Sequence, residues 1–127
     1  MDHPFDRSIP MAERCRRLFQ VVGSDDTLAI IIVADPDAMA SAVALKRLFW
    51  RRAAKVAIYH CNAIRRADNL ALIKLLKIEQ MHVRDLRRNE ITKWAVVDSQ
   101  PSHMDAFRDM PFDIVIDHHP LVPSTKA

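Results

Sequence analysis

The sequence predicts an α/β domain, a doubly wound and mainly parallel sheet with helices on both faces. Two observations lead there. Short aliphatic runs at 28–33, 56–59, 94–97 and 114–116 alternate with candidate helices, of which Met39 to Arg52 is rich in Ala, Leu and Lys and contains neither glycine nor proline, the pattern expected of βα units. The run from Leu28 to Val33 is apolar at every position rather than at alternate ones, which suits a strand covered on both faces.

The elements follow in chain order. After Pro10, the apolar residues Met11, Cys15, Leu18, Phe19 and Val22 recur at helical spacing, so a helix is expected over 10–22. Gly23-Ser24-Asp25-Asp26 ends it. The strand 28–33 leads into a helix from Met39 to Arg52, made of good helix formers. A strand at Val56–Tyr59 and a helix at Asn69–Leu76 come next, with a short strand near Met81-His82-Val83. Strands at Trp94–Val97 and Ile114–Ile116 close the series, and Ser102 to Arg108 allows one or two helical turns between them. By this pattern Phe49, Trp50 and Trp94 are core or half-buried residues.

Composition narrows the function classes. The chain has 127 residues, 50% hydrophobic and 28% charged, which describes one globular unit with a core of its own. Its formal net charge of +3 suits an anionic partner without defining one. Cys15 and Cys61 make no disulfide framework and, lacking a second close Cys or His pair, no zinc site. No signal peptide or membrane-spanning stretch is legible, so a cytoplasmic location is expected. Gly23 is the only glycine. A glycine-rich phosphate loop is therefore excluded, and any phosphate site must be built from side chains or helix N-termini.

The strands end in metal-ligand residue types. Asp35-Pro36-Asp37 follows the first, His60-Cys61 the second, Asp98 the one beginning at Trp94, and Asp117-His118-His119 the last. In a right-handed parallel sheet these ends share one edge, where open α/β sheets bind ligands. Helix capping accounts for Asp37 and for Asp98, but not for paired histidines. Several close carboxylates need a counter-charge, and mixed Asp and His donors suit Mn²⁺, Fe²⁺, Zn²⁺ or Co²⁺ better than Ca²⁺.

The motifs themselves resemble a known family. Ala34-Asp35-Pro36-Asp37-Ala38-Met39-Ala40-Ser41, Val96-Val97-Asp98-Ser99 and Ile114-Val115-Ile116-Asp117-His118-His119-Pro120 are similar, in order and spacing, to the first three motifs of the DHH phosphoesterases. The resemblance runs from about Leu28 to Pro120. Members include RecJ-type exonucleases, oligoribonucleases, cyclic-dinucleotide phosphodiesterases, exopolyphosphatases and type II pyrophosphatases. The resemblance implies two-metal hydrolysis of a phosphodiester, phosphomonoester or phosphoanhydride, with two Mn²⁺ ions, or Mg²⁺ or Co²⁺ in their place. Asp35 would bind one ion and Asp37 the other, Asp98 would bridge them, and His118 would ligate the second. His119 would face the substrate phosphate and Asp117 would hold an imidazole in its tautomer. Asp98, His118 and His119 are thus the expected catalytic residues. Ser41 is read as packing or capping.

Two departures stand out. Many family members place a histidine two or four residues before the first motif aspartate, and RecJ-type members an aspartate two residues before, where this chain has Val33 and Ile31. The family also supplies a further aspartate downstream of Asp-His-His and a substrate-gripping second domain. Those parts are expected in a longer protein of which residues 1–127 form a partial DHH domain, with a motif-bearing core at 28–120. The piece alone is expected to be inactive or nearly so.

Arg65 and Arg66, after the second strand, are placed to clamp phosphate, although a solvated basic loop explains them equally well. Arg84, Arg87 and Arg88 read as solvated, and Arg51 and Arg52 as cations at the negative end of a helix. His60 reads as a hydrogen-bonded strand end, His82 and His103 as surface residues, and Asn69 as a helix-terminal hydrogen-bonder. No aromatic platform for single-stranded nucleic acid is legible. Expected partners are a phosphate-containing small molecule or a short oligonucleotide, with no membrane and with self-association open. The alternative reading is a non-catalytic nucleotide-sensing or scaffold module that keeps the fold around a decayed site.

Overall fold

A computed structural model of the chain describes residues 11–33, 35–61, 67–98 and 110–116. Its centre is β1 (Thr27–Ile32), in which every residue from Leu28 to Ile32 is fully buried. Alternate side chains of a strand point to opposite faces. Leu28, Ile30 and Ile32 accordingly enter one core layer, and Ala29 and Ile31 enter another. A strand that must fill two layers has no place for a polar side chain, which explains the uninterrupted run.

Parallel partners flank β1 on both sides: β2 (Lys55–His60), paired Thr27 to Lys55, and β4 (Lys93–Val97), paired Leu28 to Lys93. The two-residue β3 (Met81–His82) and β5 (Ile114–Ile116) lie at the edges, also parallel. The sheet order is β3-β2-β1-β4-β5. The chain thus winds outward from β1 to β3, then crosses back to the other side of β1. The neighbouring ends of β1 and β4 form the topological switch point, where a crevice opens in doubly wound sheets.

The α-helices α1 (Met11–Val21), α2 (Pro36–Leu48) and α3 (Ala67–Leu76) all contribute to the first layer. Ala38, Met39, Ala42 and Leu45 of α2 are buried there with Phe49, and Leu18, Phe19 and Ile73 pack alongside. The second layer, around Trp94 and Tyr59, is covered by Val83, Leu86 and Ile91 from the connection between β3 and β4, and by Met110 and Phe112. That connection contains two 3₁₀ turns, Val83–Asp85 and Arg88–Glu90. The expected strands are all present; the helical turns expected over 102–108 lie outside the described residues.

Helix α2 is displaced from its expected bounds at both ends. It starts at Pro36, whose fixed φ suits the first helical position, behind Asp35 as cap. It stops at Leu48 because Arg51 turns into the left-handed region, with φ of 67°. Phe49 takes the last core position, so Trp50 falls outside the core and is 68% exposed, contrary to the expectation from periodicity; Trp94 is 5% exposed.

Positive φ is unusual outside glycine, costing roughly 1–2 kcal/mol per residue. Among the described residues it occurs at Arg51, Lys77 and Asp98, and not at Gly23. Arg51 follows α2 and Lys77 follows α3, the places where a helix ordinarily ends on glycine. The sequence spends no glycine there.

The N-terminal end of β1 is tied to both neighbours by one residue. The Asp26 carboxylate accepts from Gly23 N at 2.7 Å and from Thr92 Oγ1 at 2.8 Å, while Thr92 Oγ1 accepts from Thr27 N at 2.8 Å. The Asp26 carbonyl accepts from Ala54 N at 2.9 Å, fixing the entry to β2. The hydrogen bonds from Gly23 and then Thr92 hold the Asp26 carboxyl below its ordinary 3.8. A lowered folded-state pKa contributes stability that is complete above the unfolded value and disappears as pH falls through the folded one. Asp26→Asn is therefore expected to lower stability at neutral pH, with the gap to wild type closing below about pH 4. Urea midpoints measured across that range test this.

Candidate metal centre

The C-terminal ends of β1, β2 and β4 bring Asp35, His60 and Asp98 to one edge of the sheet. Asp35 and Asp98 leave the adjacent strands β1 and β4, which pair Ile31 to Val96, and so they flank the switch point.

Asp35 is half-buried and extended, with φ of −146° and ψ of 173°, and its Oδ1 accepts from Ala38 N at 2.8 Å. It is the N-cap of α2. The capping role therefore belongs to Asp35 rather than to Asp37, reversing the sequence-based assignment. Only Oδ1 is engaged in that cap, so Oδ2 remains for a second interaction. Asp37 is exposed in the first turn of α2, where its charge complements the positive helix end. Ser41 is exposed on the same helix.

Asp98 is half-buried and sits at φ of 58°. Its backbone N donates to Ile116 O at 2.7 Å, joining the end of β4 to the end of β5. Asp and Asn tolerate this backbone better than other non-glycine residues. The chain turns out of the ladder at the residue on which the second motif depends. Asp117, His118 and His119, together with Arg65 and Arg66, lie outside the described residues, as do His103 and the side chain of Asn69. Among the described residues, no group of three or more His, Cys, Asp or Glu side chains could hold a metal.

His60 and His82 form a pair that the sequence reading did not anticipate. They are in register across β2 and β3, their rings 5.2 Å apart at 79°. His82 is half-buried rather than a free surface residue, and its Nδ1 accepts from Arg84 N at 3.1 Å. A neutral His82 therefore carries its proton on Nε2. The only signal in the sequence was that each histidine closes a short strand. Arg84, Arg87 and Arg88 are exposed, as expected; Arg87 Nη1 lies 3.6 Å from Glu90, and Arg88 lies over the Trp94 ring at 5.2 Å.

Cys61 follows His60 at the end of β2. Its Sγ donates to Ile32 O at 3.2 Å, and burial pushes the thiol up to about 11.

Comparison with known proteins bears on extent more than on activity. Over 110 residues the chain is 33% identical to the uncharacterized protein MJ1633 of Methanocaldococcus jannaschii, an alignment covering 84% of this chain. The same alignment covers 23% of the relative, so the chain spans less than a quarter of that protein's length. No family model and no solved structure matches the chain. No helix among the described residues is long and apolar enough to cross a membrane.

Two outcomes are expected from these contacts. Asp35→Ala removes the cap and should cost about 1 kcal/mol in denaturant unfolding, whereas Asp35→Ser, which can still cap, should cost much less. With its pKa near 11, only about one Cys61 thiol in a thousand is ionised at pH 8. Alkylation there should show Cys61 lagging far behind a free cysteine peptide.

Proposed function

We propose that this sheet edge is the metal-binding part of a DHH-type phosphoesterase, acting by two-metal hydrolysis on a phosphodiester, phosphomonoester or phosphoanhydride. The observation that carries the reading is the strand order. The strands that precede the three motifs, β1, β4 and β5, are consecutive and parallel in the sheet. Strands that lead into motifs distant in sequence thus lie side by side.

In this reading Asp35 and Asp37 would each help hold one of two Mn²⁺-like ions, Asp98 would be shared by both, and His118 would belong to the second ion's set. Asp35, Asp37 and Asp98 do not make a metal-holding group by themselves, so His118 is essential to the proposal. The ions would lower the pKa of a bound water and stabilise the charge of an in-line displacement. His119, with Arg65 and Arg66, would hold the substrate phosphate, and Asp117 would orient an imidazole. The site faces a compartment containing phosphate metabolites or short oligonucleotides, which we take to be the cytoplasm.

One observation favours the second reading, a nucleotide-sensing or scaffold module without catalysis. Val33 stands where the DHH phosphoesterases that this chain resembles place a further ligand, and its side chain packs against the second core layer. Catalysis predicts a compensating donor from elsewhere in a longer protein; sensing does not.

Calorimetric titration with Mn²⁺ tests the ligand set. Asn is the right replacement at Asp98 because it tolerates positive φ and removes only the charge. The wild type is expected to bind Mn²⁺, and Asp98→Asn to weaken binding at least about tenfold, as loss of a bridging charge requires. Equal binding by both, or none by the wild type, would remove the metal reading. Hydrolysis of bis-p-nitrophenyl phosphate by residues 1–127 alone is expected to be slow or absent.

A further inference from the structure

A second site lies at the opposite end of the helical layer. Helix α2 starts behind β1 at the metal edge and runs back toward the strand N-termini, so its C-terminal end lies far from that edge. Between the C-terminal ends of α2 and α3 is a groove of about 220 Å³. Val43, Ile58 and Ile78 supply its apolar lining, and Lys46, Arg47 and Lys77 its cations. Trp50 also lines it, and is 68% exposed.

Three features are unexplained by stability alone. A tryptophan is the side chain with most to gain from burial, yet this one is left in solvent beside a core into which Phe49 is fully inserted. Arg51 stacks over its ring at 4.4 Å, which holds the indole in place and adds a positive charge. Both residues that take up left-handed backbone at helix ends, Arg51 and Lys77, are cations bordering this groove or its tryptophan. Cations do suit helix C-termini. That accounts for their charge, but not for long side chains at two positions where glycine is the low-strain choice.

We infer that this groove binds single-stranded nucleic acid, a base stacking on Trp50 while the phosphates on either side contact Lys46, Arg47 and Lys77. An apolar-floored slot with one exposed indole takes the flat face of a base, and cations around it take the backbone charge. The same features appear in sequence as Lys46-Arg47-Leu48-Phe49-Trp50-Arg51-Arg52. They were hidden there because nothing local says that Phe49 is buried and Trp50 is not. Arg52 is occupied over the Phe19 ring at 3.8 Å and is not needed. Glu79 is the one acidic residue in the lining; it is exposed and lies 3.9 Å from Lys46, a loose pair that a phosphate can displace. An acidic protein segment would find the cations but would have no flat group for the indole. The inference stands apart from the metal reading: the groove keeps its chemistry whether or not the sheet edge binds Mn²⁺.

Trp50 is also the reporter. The chain has two tryptophans, and Trp94 is buried. Titrating the protein with a short oligothymidylate is expected to quench Trp50 fluorescence to saturation. Affinity should fall with salt, with a log–log slope near about −2 for three phosphate contacts. Trp50→Ala, followed by anisotropy of a labelled strand, should bind about tenfold more weakly or worse. Lys77→Gly relieves the backbone and should fold at least as well as wild type, while its salt slope moves toward zero by about 0.7. The strand titration is run with EDTA and no divalent metal, so a strand held at the sheet edge through Mn²⁺ does not contribute, which separates this result from that of the Mn²⁺ titration. Absence of quenching at low salt, or unchanged affinity in Trp50→Ala, would overturn the inference. Equal quenching by poly-glutamate would give the groove to an acidic protein segment instead.

Discussion

The structure depends on the complete burial of β1. Five consecutive aliphatic residues fill two core layers at once, and a strand in that position must have a partner on each side and cover on each face. Roughly 25 cal/mol per Å² of apolar surface removed from water favours this arrangement over any in which β1 is an edge. The outward winding to β3 and the return to β4 satisfy it with short connections. The switch point is a consequence, since the chain must leave β1 toward one face and approach β4 from the other.

That constraint gives the molecule two unlike ends. At the strand C-termini, carboxylates and imidazoles collect because βα turns place polar caps there. Asp35 illustrates this: its Oδ1 secures the first turn of α2, while Oδ2 takes no part in that cap. At the strand N-termini, the Asp26 and Thr92 hydrogen bonds fix where β1, β2 and β4 begin relative to one another. Register set at that end is transmitted along rigid strands and determines which side chains meet at the other.

Left-handed backbone outside glycine marks both proposed sites. Asp98 ends β4 in this conformation at the sheet edge, and Arg51 and Lys77 adopt it beside the groove. Strain of this kind persists only where the surroundings over-determine it, and it concentrates where side chains are needed in defined places. A glycine would relax each position and lose the charge it carries. With one glycine in the chain, the sequence keeps the charge at each of the three.

Much of this was legible in the residues alone. The apolar run at 28–33 announced a doubly covered strand, and the short aliphatic runs around it announced its parallel neighbours, because burial and period are local properties of sequence. What a helix does at its ends is not local in that sense. Asp35 rather than Asp37 became the cap once Pro36 took the first helical position. Phe49 rather than Trp50 entered the core once Arg51 turned the chain, and His60 met His82 only through the register of two parallel strands. Each of these outcomes was decided by how separate elements dock, since periodicity says which residues share a face but not which of two neighbours the face admits.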